Sequence, residues 1–156
     1  MNGPSARRLS LPSPGGRGTC LCLFALALAL RLANAAYGSL WLDDFHSLHH
    51  ARAPDLETFF ASLLRDNHPP LSFLLVRASR AAFGESASAL RLPALLPGLA
   101  TFVLVWGIGA RLPCAHGRAA AAALLALSTL HVEVSSDLRM YALLALANAG
   151  LLEGDL

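Results

Sequence analysis

Long apolar runs alternate with short polar islands along this chain, and one polar stretch is wide enough to be a loop in its own right. The first run, TCLCLFALALALRLANAA at residues 19–36, predicts a helix able to cross about 30 Å of hydrocarbon. LPALLPGLATFVLVWGIGA at 92–110 predicts a second span, with Pro93 and Pro97 tolerable near one end. AAAAALLALSTLHVEV at 119–134 predicts a third, Ala-rich enough for close helix packing. A fourth run, MYALLALANAGLL, meets Glu153, Gly154 and Asp155 after about a dozen residues, too few to cross, and reads as a truncated fourth helix. LSFLLVRASRAAFG after the proline pair rises only about 20 Å as a helix. With Phe73, Arg77 and Arg80 on one face and Leu71, Leu74, Leu75 and Ala78 on the other, it predicts an interfacial amphipathic helix.

The expected fold is therefore an all-α polytopic membrane protein: about three full spans, a truncated fourth, and an external loop carrying an amphipathic helix. Composition agrees, since 55% of the 156 residues are apolar and 14% charged, against about a quarter charged in soluble domains. A formal net charge of +2 gives no broad basic field, so nucleic acid is excluded as an expected partner. Residues 1–18 hold Arg7, Arg8 and Arg17 without an acid and read as a basic cytoplasmic tail, leaving residues 19–156 as the membrane domain. Arg111 and Arg118, also without an acid between them, belong on the same side by the positive-inside rule. Residues 36–91 and 135–141 then share the external face. A cleaved signal peptide ending at Ala35 is the competing reading of the first run, and the later spans weigh against it. Cys20, Cys22 and Cys114 form neither a disulfide framework nor a zinc knuckle by spacing.

Chemistry concentrates in AYGSLWLDDFHSLHHARAPDLETFFASLLRDNHPP, residues 36–70, with five of the ten acids and four of the six histidines. Asp43 and Asp44 suit a helix N-terminus as well as catalysis. Asp43, His46, His49 and His50 fall on one helical face, a donor set that admits a divalent metal, zinc above all, beside the plainer reading of a solvated histidine cluster. His68-Pro69-Pro70 suits the start of a helix. Arg91 and Arg139 lie at span ends, where snorkelling alone accounts for arginine, and Glu133 belongs at the interface or in the bundle interior.

Four stretches, LWLDDFHSL, DNHPPLSFLL, FGESASALRLPALLPGLA and SSDLRMYALL, resemble in order and spacing the lipid-linked-sugar glycosyltransferases of the GT-C class, bacterial relatives of the protein O-mannosyltransferases and the aminoarabinose transferase. HPPL and FG-x-S-x-x-A-L-R-L-P are the most telling. The likeness runs from about Ala36 to Leu146, the N-terminal part of such an enzyme. It implies transfer of a sugar from a polyprenyl-phosphate donor to a glycan, lipid or protein acceptor at the outer face of the cell membrane, with inversion. In that family the first external loop carries a catalytic acidic pair, which here is Asp43 and Asp44; the usual second member is glutamate, so Asp44 has the shorter reach. Asp43 is then the acceptor-side base, and His68, Arg77, Arg80, Arg139 and Tyr141 the substrate-binding residues. No cofactor is required by the resemblance, although a metal could assist the departing phosphate. The alternative is a truncated, non-catalytic membrane protein that keeps the family's first helices.

Overall fold

The computed structural model describes residues 16–111 and 116–154; the basic tail up to residue 15 and Cys114 lie outside them. Among the described residues the chain is helical, with no strand. Helix α1 (Arg17–Tyr37) and helix α5 (Ala87–Gly109) are long and apolar enough to cross a membrane. Between them lie α2 (Leu42–Ala51), α3 (Leu56–Leu63) and α4 (Pro70–Phe83). After them come α6 (Gly117–Leu127), α7 (Thr129–Val134) and α8 (Tyr141–Gly154).

Local chemistry sets most of these boundaries. Asp55 caps α3 by accepting a hydrogen bond from the Thr58 amide at 2.7 Å, and Ser86 caps α5 through the Ala89 amide at 3.2 Å. Pro70 opens α4, where its missing N–H costs nothing, and Gly84 closes it at φ 87°, a left-handed conformation that favours glycine. Helix α5 begins at Ala87, ahead of the expected start at residue 92, because the Ser86 cap lies outside the apolar run. The third apolar run is helical but in two pieces: Ser128 is extended and its hydroxyl accepts from the His131 amide, so it starts α7 afresh.

Helices α1, α5 and α6 pack around Ala27, Phe102, Ala122 and Ala126, with the Phe24 and Phe102 rings edge-on at 5.6 Å. Small residues let the backbones approach: a Cβ on Gly109 would lie 2.7 Å from Arg118 Cα. Leu21, Leu32, Leu96, Val103, Leu124 and Leu130 remain outward and exposed, the expected dress of a lipid-facing surface. The fold is that of an all-α membrane protein.

Residues 36–91 and 135–141 gather at one end of the bundle. A second core there, Leu48, Ala51, Val76, Leu90 and Leu138, joins α2, α4, α5 and the α7–α8 turn. Exposed Tyr37 and Trp41 sit at the end of α1, where amphipathic rings meet headgroups. At the opposite end Arg111 donates to the Glu153 carbonyl at 2.8 Å and Arg118 lies over the Trp106 ring at 5.4 Å. On α4, Phe73 and Val76 turn inward, Leu74 and Leu75 are half-buried, and Leu71 and Ala78 face outward.

Candidate functional site

Arg91 explains how the loop end is built. Its side chain is 3% exposed, and its guanidinium donates to the carbonyls of Ala35 (2.7 Å), Gly38 (2.8 Å) and Ser39 (2.8 Å). Ala35 belongs to the last turn of α1, whose carbonyls lack helical partners, and Gly38 and Ser39 follow it directly; a cation is the favourable partner at a helix end. Arg91 therefore clamps the end of α1 rather than snorkelling.

Asp44 does similar work for α2. It is 2% exposed; Oδ2 accepts from the Trp41 amide at 2.9 Å, three residues back, and Oδ1 accepts from the Leu138 amide at 3.0 Å. The first bond secures the helix N-terminus and the second fastens it to the α7–α8 turn. Asp137 in that turn hydrogen-bonds Asp44, and its carboxyl is pushed up to about 7, first by burial and then by the bond to and charge of Asp44, with Arg139 pulling the other way.

Asp43, the next residue, faces outward with 65% of its side chain exposed, and its Oδ1 meets Arg139 Nη2 at 2.8 Å. Arg139 Nη1 lies 2.9 Å from His68 Nε2. Guanidinium only donates, so His68 Nε2 must accept and the ring proton sits on Nδ1, which donates to Asp66 Oδ1 at 2.5 Å. The His68 amide donates to the same oxygen at 2.9 Å, the local turn typical of Asp two residues ahead. Asp66 Oδ2 lies 2.6 Å from His46 Nε2 and 3.1 Å from His50 Nε2. Burial alone would raise the Asp66 carboxyl; the hydrogen bonds from His68 and His46 outweigh it and hold it well below the usual carboxylate range. A continuous chain, Asp43–Arg139–His68–Asp66, thus crosses from α2 through the α7–α8 turn to the turn before α4. Arg139 Nε is buried without a hydrogen-bond partner.

Beside this chain opens a cleft of about 860 Å³, lined by Asp43, Asp44, Asp137, Tyr141 and Glu133 together with Asn34, Tyr37, Trp41 and Ser136. That size suits a small organic ligand. Glu133 is exposed there, as a carboxylate in a membrane bundle must be unless paired.

Of the residues singled out from sequence, Asp43, Asp44, His68, Arg139 and Tyr141 are brought together. Arg77 and Arg80 stand elsewhere: Arg77 donates to the Ala53 carbonyl and lies over Phe59, and Arg80 pairs with Glu85 at 2.5 Å, as does Arg52. Glu85 is held down to about 2 by those two arginines, Arg52 foremost. The helical set expected for zinc is rearranged as well. Asp43 turns to Arg139 and His49 is exposed, while His46 and His50 find Asp66. Asp66, Asp137 and Arg31 were not expected as site or network members. Asp66 stands two residues before His68 inside a quoted motif, and Arg31 is a charge within an apolar run, so each left a signal. Arg31 is wholly buried and donates to the Ala27 carbonyl at 2.9 Å and His131 Nδ1 at 2.6 Å; among the described residues it has no carboxylate partner.

The apolar helical bundle thus brings acidic, cationic and imidazole groups together beside a cleft at one end. Residues 67–152 match the family described as dolichyl-phosphate-mannose-protein mannosyltransferase, and the chain belongs to that family of GT-C-type membrane glycosyltransferases. The family implies a lipid-linked sugar donor and an acceptor in general terms. The matched residues include the proline pair, α4 to α7, Arg139 and most of α8; the Asp43-Asp44 pair precedes them. No curated protein and no solved structure matches the chain.

Proposed function

We propose that this chain acts at the outer face of the cell membrane, moving a sugar from a polyprenyl-phosphate donor to an acceptor hydroxyl with inversion, and that Asp43 is the base. The observation that carries the reading is the Asp43–Arg139 pair, 2.8 Å apart, whose Asp43 lines the cleft. A phosphate-linked sugar already bears a good leaving group, so the site must take the acceptor proton and receive the negative charge of the departing phosphate. Asp43 is exposed for the first task. Arg139, a cation held by His68 beside Asp43, suits the second. Direct attack of the acceptor oxygen on the anomeric carbon forms the new glycosidic bond as the carbon–phosphate-oxygen bond breaks, the acceptor proton passes to Asp43, and the polyprenyl phosphate leaves. Asp44 and Asp137 anchor the frame, and Tyr141 lines the cleft. Asp44, where the resemblance expects glutamate, is buried against the Leu138 amide and serves the frame.

The reading is tested by supplying membranes containing the full chain with a polyprenyl-phosphate sugar of known anomeric configuration. The expected product has the opposite configuration by NMR. Retention would overturn the direct-attack mechanism, and absence of transfer under any acceptor would leave the non-catalytic reading.

A further inference from the structure

We propose that His46 Nε2, His50 Nε2 and Asp66 Oδ2 form a binding site for a single divalent transition-metal ion of the zinc type, fastening α2 to the turn before α4. The three atoms lie within 4.8 Å of one another, and Oδ2 is 2.6 Å from His46 and 3.1 Å from His50. Tetrahedral zinc with bonds near 2.0–2.1 Å separates its ligand atoms by roughly 3.3 Å, so side-chain shifts of up to about an ångström, with His46 swinging away from Asp66 and towards His50, would admit it. Two imidazoles and one carboxylate are a recurrent protein donor set for such ions.

The hydrogen-bond directions around His50 leave the same gap. Ser62 Oγ donates its one proton to the Phe59 carbonyl at 2.7 Å. Its 2.8 Å contact with His50 Nδ1 therefore runs from the ring N–H to the hydroxyl oxygen. In the neutral ring this leaves a lone pair on Nε2, aimed at Asp66 Oδ2. Two acceptors facing each other at 3.1 Å repel unless a cation or an extra proton stands between them. Both side chains are only 6% exposed, so water is poorly placed to fill that role. A metal ion would satisfy both lone pairs at once.

The outer partners are also in place. Ser62 fixes the His50 ring, and the His68 amide and Nδ1 fix Asp66 through its other oxygen. His46, 46% exposed, leaves the solvent side open for a water as the remaining ligand. Because Asp66 holds His68 and His68 holds Arg139, the ion would steady the Arg139–Asp43 pair without touching it.

The test uses the tag-free full chain in lipid nanodiscs, stripped with chelator and then titrated with Zn²⁺ by calorimetry and with Co²⁺ by visible absorption. One Zn²⁺ per chain and the intense Co²⁺ bands of a four-coordinate site are expected. His50→Ala should abolish both. Ser62→Ala, which keeps all three ligands, should weaken Zn²⁺ binding by about 10–100-fold while the chain stays folded. His49→Ala, altering an exposed neighbour on the same helix, should leave binding unchanged. Absence of stoichiometric binding, equal weakening by His49→Ala and His50→Ala, or full affinity in Ser62→Ala would each overturn the proposal and assign the gap to a proton on His50. No readout involves a sugar, so this outcome is independent of the transferase reading.

Discussion

Replacing Arg91 should loosen the whole loop end, and its contacts set the size of the effect. The guanidinium makes three close bonds, to the carbonyls of Ala35, Gly38 and Ser39. A hydrogen bond to a charged group is worth roughly 1.5–3 kcal/mol net. Gly38 and Ser39 line the cleft and water can reach their carbonyls after truncation, whereas the Ala35 carbonyl belongs to the buried end of α1. Arg91→Met should therefore cost roughly 3–4 kcal/mol, one bond in full and two in part. In chains of this size, each kcal/mol moves Tm by about 2–4 °C, giving a fall of roughly 6–16 °C. Arg91→Lys should fall between, since a compact ammonium cannot reproduce the planar fork. Thermal unfolding in nanodiscs followed by tryptophan fluorescence measures all three proteins. A Tm for Arg91→Met within about 2 °C of wild type would refute the clamp.

Three further outcomes follow from the same geometry. Asp137 is raised from the ordinary 3.8 to about 7, so the stability it confers is complete at low pH and is lost as pH rises from about 4 through 7; Tm should fall across that window in wild type and stay flatter in Asp137→Asn, and identical profiles would refute the assignment. Cysteines placed at exposed His49 and His116, in a background without the native cysteines, should label from opposite sides of the membrane, and labelling from one side would sink the topology. A Cβ at Gly98 would lie 2.3 Å from Ser135 Oγ, so Gly98→Val should displace the 135–139 turn, cost about 1–3 kcal/mol in thermal unfolding and reduce transfer through Arg139; wild-type stability would contradict that contact.

The spans at α1 and α5 were legible because run length and hydrocarbon thickness are both local quantities. The short α4 was legible for the same reason, with Pro70 and Gly84 marking its ends. The division of the third run at Ser128 was hidden: one serine in an Ala-rich run is compatible with a continuous helix, and only the bond to the His131 amide shows it acting as a cap. Helical spacing put Asp43 beside the histidines because it considers one helix at a time. The carboxylate that meets them, Asp66, comes from another segment, and Asp43 is drawn to Arg139, 96 residues onward, a pairing that periodicity does not encode. Arg77 and Arg80 looked like phosphate ligands by charge alone. Their partners are backbone carbonyls and Glu85, which only the folded loop supplies. Arg31 and His131 lie 100 residues apart in sequence and meet through helix packing, so neither residue's surroundings disclosed the other.

In the proposed reaction Asp43 takes the acceptor's proton while Asp44 holds the frame. Turnover of a labelled polyprenyl-phosphate sugar by membranes containing wild type, Asp43→Asn or Asp44→Asn, normalised to folded protein, measures it directly. Asp43→Asn should fall by about 10²–10⁴-fold with donor binding retained, and Asp44→Asn should lose less turnover but unfold at lower temperature. Near-normal turnover in Asp43→Asn beside an inactive, fully stable Asp44→Asn would contradict the account.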